Sequence, residues 1–334
     1  CIHGYNCIMH DFIAVGDIVK DTFIRLKEAE VKKVDEEHST LCMAFGEKIP
    51  FESATVIHAV GNSPNAAVSA ARLGLSSALI SNLGDDEDGK ECIAALEAQG
   101  VDTSLLTTHK GTTTNSHYVL WYKDDRTILV KHEEYNYKFP DFKAPKWLYL
   151  SSLGESTLDY HKELNAYLVM NPSISLAFQP GTFQMKLGTT ELKDIYKRTT
   201  IFFCNIPEAE RILGVNTLGV KELIKRMHAL GPKIVVLTDG HNGTYAYAGE
   251  EVIFQPIYPD EKPPYERTGA GDAFASTTVG ALALGKDLET ALKWGSINSQ
   301  SVVQQIGAQK GLLTRKEIEE KLKTAPLGFT SSTL

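Results

Sequence analysis

The 334-residue sequence has no apolar run approaching the roughly 18 residues of a membrane-spanning helix. Its first residues, CIHGYNCIMHDF, lack a charged leader followed by a hydrophobic stretch and a small-residue cleavage site. Positive charge is also short: 34 Lys and Arg stand against 42 Asp and Glu, a formal net charge of -8. That balance argues against binding to nucleic acid or to an anionic membrane, so any bound phosphate must be held locally. Cysteine is scarce, at 1, 7, 42, 92 and 204, with no CxxC pair and no histidine at zinc-ligand spacing. Reduced thiols in a cytoplasmic protein are the expectation. Cys1, His3, Cys7 and His10 could gather a metal only with spacings unlike the usual tetrahedral sites. No internal repeat or low-complexity tract occurs. What remains is 43% hydrophobic and 23% charged, which disfavours disorder and coiled coil and suits one large or two smaller globular domains.

Along the chain, FIAVGDIVKDTFIRL reads as a buried strand, a turn at Gly16 and an alternating strand, with Asp17 and Asp21 near its edge. Residues 22 to 50 alternate as a small sheet of their own. NSPNAAVSAARLGL then reads as a helix with Ser63 and Pro64 near its start, SALISNLG as a strand, and DDEDGKECIAALEAQGV as a solvated acidic loop opening a helix. SHYVLWY and RTILVKH, separated by KDD with Asp124 and Asp125, form a hairpin. Beyond residue 145, strands such as WLYLSS, SISLAFQP, TIFFCN and KIVVLTDG alternate with helices, including ones expected over 159–170 and 188–197. Buried strands without alternation, separated by helices, imply a mainly parallel sheet covered on both faces.

The stretch YERTGAGDAFAS, residues 265 to 276, carries the chemistry. A helix start exposes unpaired backbone NH groups and about half a positive charge, and Gly269, Ala270 and Gly271 let a phosphate approach them. Asp272 follows at once and would repel a resting phosphate. It makes sense as a base that accepts a proton from an attacking hydroxyl while the amides hold the transferring phosphoryl group. Equally, Asp272 could simply cap a helix beginning at Ala273. The loop is not GxxxxGK[ST], and the glycine-loop, HRD and DFG set of protein kinases is missing.

With ERTGAGDAF at 266–274 and VGNSPNAAVSAARLG at 60–74, the chain resembles the ribokinase (PfkB) family of carbohydrate and nucleoside kinases over nearly its whole length. The resemblance implies a ribokinase-like three-layer α/β/α fold with a mainly parallel central sheet and a small β lid. The main domain would comprise 10–22, 52–115 and 136–325, and the lid 23–51 and 116–135. In the family pattern Asp272 is the general base and Gly269, Ala270 and Gly271 the anion hole. Asp21, Gly61, Asn62 and Asn65 would bind substrate, Asn62 helping to set its identity. NIPE matches the family's NxxE, so Asn205 would act near the nucleotide and Glu208 would hold magnesium through water. TDGHNG places Thr238, Gly240 and Gly243 near ATP, and Ser296 or Asn298 would line the adenine pocket, with spacing back from GAQKG favouring Ser296.

Two departures stand out. Val60 replaces the first glycine of the N-terminal pair, which would reshape the pocket floor. Glu266 replaces an aspartate and Arg267 follows, which leaves a monovalent-cation site open, with Arg267 as a substitute charge. The implied activity is transfer of the γ-phosphate of ATP, with Mg2+, to a hydroxyl of a sugar or sugar derivative. The alternatives are a nucleoside kinase of adenosine type or a non-catalytic sugar- or nucleotide-binding regulator. A nicotinamide dehydrogenase would need GxGxxG after the first strand, where GDIVKD stands. His117, Val119 and Trp121 share one lid face, which either meets substrate or stiffens the lid and forms a homodimer contact.

Overall fold

The computed structural model describes residues 9–34, 39–123, 125–260 and 262–334. Cys1, His3 and Cys7 of the candidate metal group, and Asp124 of the hairpin turn, lie outside the described residues. His10, the remaining member of that group, has its Nε2 3.0 Å from the Asp102 carboxylate. Among the described residues no group of three or more His, Cys, Asp or Glu could hold a metal ion. No helix there is long and apolar enough to cross a membrane.

Among the described residues, ten strands form the main sheet, in the order Ser332–Thr333, Val252–Gln255, Thr244–Tyr247, Ile234–Thr238, Ile201–Asn205, Ser175–Phe178, Trp147–Leu150, Phe12–Val15, Ser77–Gly84 and Leu106–His109. From Ile234–Thr238 to Leu106–His109 every neighbour runs parallel. The other end is antiparallel. Phe12–Val15 shows why the sequence lacks polar alternation here, since all four of its residues are buried. Phe12 and Ala14 join a core with helices Asn62–Arg72 and Ala270–Ala283, while Ile13 and Val15 join the opposite core with Leu158–Met170 and Val220–Ala229. A strand covered on both faces must be apolar on both, and each fully buried Leu, Ile or Phe contributes about 1.5–3 kcal/mol.

A second sheet of four strands, Phe51–Val60, Val19–Leu26, Ser116–Tyr122 and Asp125–Lys131 in that order, forms the lid. A division at residue 52 differs from this arrangement: Phe51–Val60 runs antiparallel along Val19–Leu26 and belongs to the lid sheet. Val19–Leu26 alternates buried and half-buried residues and needs partners on both edges, which Phe51–Val60 and Ser116–Tyr122 supply. Among the described residues of 22–50, only the ribbon of Glu30–Lys33 with Ser39–Cys42 is a sheet of its own. The helix expected over 188–197 begins earlier, at Thr182, and is broken at Gly188, whose φ is 82°. Gln184 organises that start, accepting from the Gly181 amide and donating to the Ser151 carbonyl. In the acidic loop Asp85 and Glu87 are exposed and Asp86 and Asp88 half-buried. Asp86 caps helix Glu87–Ala98 and binds Thr114, and Asp88 pairs with Lys20 of the lid.

Candidate active site

Helix Ala270–Ala283 starts at Ala270, with Gly269 as its N-cap at φ 80°. Asp272 is therefore the third helical residue and does not cap the helix. Gly269 must be glycine twice over: its φ lies in the left-handed region, and a Cβ would fall 2.2 Å from the Cβ of Ala308. At Gly271 a Cβ would meet nothing within 4 Å, so that side of the turn is open. The Ala270 amide lies 3.4 Å from the Arg267 carbonyl, and the Ala273 amide bonds Gly269. Among the described residues, the amides of Gly269, Gly271 and Asp272 have no acceptor. Of the expected Gly269–Gly271 set, the Ala270 amide is thus the one that is committed, and the Asp272 amide joins the open donors.

The Asp272 carboxylate accepts three amide hydrogen bonds. Asn62 Nδ2 donates to Oδ1 at 2.8 Å, Asn65 Nδ2 to Oδ2 at 2.9 Å and Gln179 Nε2 to Oδ1 at 3.2 Å. Burial pushes its pKa above the ordinary Asp value, and the three donors only partly oppose that shift. The result is a carboxylate poised to take a proton.

Helix Asn62–Arg72 carries both asparagines behind Gly61, whose φ is 120° and whose Cβ, if present, would lie 2.9 Å from the Asp17 carbonyl. Val60, in place of the family's glycine, is buried and pairs with Val19 as lid strand. Gln309 is a site residue that sequence reasoning missed. Its Nε2 donates to the Ala59 carbonyl at 2.6 Å and to Asn65 Oδ1 at 3.0 Å. A carbonyl accepts only, so the nitrogen of Gln309 is fixed, and Asn65 must turn its own Nδ2 to Asp272. Arg72 anchors this loop through the carbonyls of Gln309 and Leu312. Gln179 was missed too. Its one sequence signal is its place just beyond the carboxyl end of a parallel strand, where open α/β sheets put ligands.

On the other side of the Ala270–Gly271 turn lies a pocket of about 290 Å³, lined among others by Thr238, Gly240, His241, Arg267, Ser296 and Gln300. Asn298 is not in its wall. It is fully buried, donating to Thr277 Oγ1 at 2.6 Å and accepting from the Leu313 amide at 2.8 Å. Two residues apart on a helix of 3.6 per turn, positions 296 and 298 point to nearly opposite sides. The Ser296 hydroxyl is committed as well, to the Tyr258 amide and the Pro256 carbonyl, so it shapes the wall. Gly243 also stands off the pocket; at φ 105° it lets the turn pack on Phe254 and Gln255, where a Cβ would clash at 2.7 Å.

Asn205 and Glu208 form a reciprocal cap on helix Ile206–Leu213: Asn205 Oδ1 accepts from the Glu208 amide at 2.8 Å and Glu208 Oε2 from the Asn205 amide at 2.9 Å. Burial raises the Glu208 pKa, and the charge of Asp272 adds to the rise. Its Oε1 remains a hard oxygen that fits magnesium held through water, whereas the Asn205 oxygen is committed. Glu266 is 7% exposed and accepts from the Thr268 amide and hydroxyl. The cation beside it is Arg126 of the lid, with Nε 3.9 Å away, while Arg267 lines the neighbouring pocket.

Asp21 and Trp121 lie on neighbouring strands of the second sheet. Asp21 is 8% exposed, and its Oδ1 lies 3.3 Å from His117 Nδ1. Trp121 meets Tyr265 edge-on, with ring centroids 5.5 Å apart.

The model of the pfkB family carbohydrate kinases matches residues 25–315. The chain belongs to this family. As a pfkB-family protein it is a sugar or nucleoside kinase, and its relatives say the same at lower resolution. It is 28% identical over 275 residues to a ribokinase of Bacillus subtilis, covering 78% of this chain and 87% of that protein. To a 5-dehydro-2-deoxygluconokinase of Bacillus velezensis it is 25% identical over 325 residues, covering 91% and 98%. In structure it is similar to a Cryptococcus neoformans ribokinase in complex with ADP, at 25% identity and a TM-score of 0.73, covering 93% and 99%. An Arabidopsis thaliana ribokinase complexed with ribose and ATP shares the fold at 20% identity and a TM-score of 0.75, covering 95% and 99%.

Proposed function

We propose that this pfkB-family chain transfers the γ-phosphate of ATP to a hydroxyl of a sugar or sugar derivative. The observation that carries this is the Asp272 carboxylate, held by three amide donors one residue after an open Gly271 amide. Asp21, at the lid, binds hydroxyls of the acceptor and turns one of them toward Asp272. Asp272 takes the proton of that hydroxyl as its oxygen attacks phosphorus, and the amides of Gly271 and Asp272 hold the charge of the phosphoryl group in transit. Thr238 and Gly240 border the nucleotide, and Glu208 Oε1 is the oxygen that would hold magnesium through water. Magnesium, when bound, neutralises charge on the phosphates. The lid excludes water that would otherwise accept the phosphoryl group.

The test is ADP formation from ATP and magnesium with D-ribose, D-fructose, D-glucose and adenosine, beside melting shifts with the same compounds. ADP formation that depends on one of these acceptors is the expected result. Melting shifts without ADP formation would leave a binding protein and overturn the kinase reading.

A further inference from the structure

The Asp272 carboxylate is loaded unevenly. Among the described residues its Oδ1 accepts from Asn62 Nδ2 at 2.8 Å and from Gln179 Nε2 at 3.2 Å, whereas its Oδ2 accepts only from Asn65 Nδ2 at 2.9 Å. Each oxygen of an ionised carboxylate offers about two lone-pair sites, so Oδ1 is filled and Oδ2 keeps one open. Gln179 makes the difference, and its hold on Oδ1 is supported from behind.

The chain at Gln179 is pinned on both sides. Its own amide donates to the Leu150 carbonyl at 2.9 Å, and the Gly181 amide donates to Gln184 Oε1 at 2.7 Å. At Gly181 a Cβ would fall 2.2 Å from Ser152 Oγ, so the turn is packed tightly against the neighbouring strand end. What stays to be decided is which end of the Gln179 side chain faces Asp272. An ionised carboxylate only accepts, which calls for nitrogen there and leaves the Gln179 oxygen to Tyr149, whose hydroxyl donates to it. Tyr149, on strand Trp147–Leu150, is fully buried beside Phe12, with ring centroids 5.6 Å apart. Burial, with the charge of Asp272 adding to it, raises the Tyr149 pKa well above the ordinary value, so its hydroxyl keeps its proton and stays a donor.

We propose that Tyr149 and Gln179 are positioning residues that direct the acceptor's proton to Oδ2 of Asp272. Tyr149 fixes the Gln179 amide, and that amide closes Oδ1 together with Asn62. As the acceptor oxygen bonds to phosphorus, its O–H bond breaks, the electron pair stays on that oxygen and the proton binds Oδ2. The bond from phosphorus to the departing ADP oxygen breaks, and its electron pair leaves with ADP. This deepens the kinase reading and rests on it for the role of Asp272.

Neutron diffraction from crystals of the unaltered protein tests the arrangement without turnover. The Tyr149 deuteron should face Gln179 Oε1 and a Gln179 amide deuteron should face Asp272 Oδ1. In crystals acidified until Asp272 is neutral, its deuteron should lie on Oδ2. A Gln179 oxygen facing Asp272, or a deuteron on Oδ1, overturns the proposal. Kinetics of Gln179→Leu and Tyr149→Phe use whichever of D-ribose, D-fructose, D-glucose or adenosine supports ADP formation. Opening Oδ1 lets the carboxylate turn, so each variant should lose about tenfold in kcat while the KM values for ATP and acceptor hold. The double variant should lose no more than Gln179→Leu alone, because Tyr149 acts only through Gln179. A packing role for Tyr149 would instead add its loss in both backgrounds. That result, or an unchanged kcat in Gln179→Leu, overturns the proposal. The expected neutron map without ADP formation from any acceptor overturns the kinase reading and leaves Oδ2 as the basic oxygen.

Discussion

Asp272 works through its neighbours, and their orientation can be followed atom by atom. The Ala59 carbonyl fixes the Gln309 nitrogen, Gln309 fixes the Asn65 oxygen, and Asn65 then gives its nitrogen to Asp272. The bond from Asn65 lowers the Asp272 pKa against the larger, upward effect of burial. Since the proton is held to a higher pH than by an ordinary aspartate, the base is lost as pH falls through that raised value. The acid limb of kcat/KM should therefore lie above the ordinary Asp range. Gln309→Leu frees the Asn65 amide to turn, weakens a bond that favours the ionised form, and should move the limb further up while lowering kcat/KM at neutral pH about tenfold. A limb that stays in place in a folded Gln309→Leu protein would remove Gln309 from the site. In the sequence Asp272 was legible because a glycine-rich turn beside a carboxylate is a rare combination with a chemical meaning. Gln309 was not, since a glutamine acquires such a role only from what faces its two ends.

At the scale of elements, the lid hairpin touches the body at two points near the phosphate loop. Trp121 lies edge-on to Tyr265, and Arg126 reaches the buried Glu266. An edge-to-face aromatic pair contributes about 0.5–1.5 kcal/mol beyond its buried area, so Trp121→Ala should shift the closing equilibrium by about 2- to 10-fold. The acceptor KM should rise by that factor, and ADP release without acceptor should increase, while the ATP KM holds. Unchanged values for all three would show that the lid closes without this contact. Alternation made the hairpin legible, and it also put His117, Val119 and Trp121 on one face. It misplaced the lid boundary at 52, because Phe51–Val60 is mostly exposed and reads like any edge strand until its pairing with Val19–Leu26 is known. The helix from Thr182 was hidden for another reason: Gly188 breaks its periodicity, and Gln184 supplies the start signal that the glycine cap cannot.

Across the whole molecule, a ten-stranded sheet covered on both faces holds its functional groups beyond strand ends, and a separate sheet folds over them. The parallel sheet was legible from apolar strands such as FIAV and SALISNLG, whose every residue is buried. Spacing back from GAQKG favoured Ser296 over Asn298, and Ser296 lines the pocket while Asn298 is buried behind it. All of this converges on one carboxylate. Asp272→Asn keeps the shape of the side chain and removes its capacity to take a proton, so kcat should fall by about 10² to 10⁴ while ATP affinity changes little. Steady-state kinetics of that variant, with nucleotide binding measured alongside, is the most direct test. A large loss of kcat with nucleotide affinity retained is the expected result, and turnover close to that of the natural protein would contradict the assignment of Asp272 as the base.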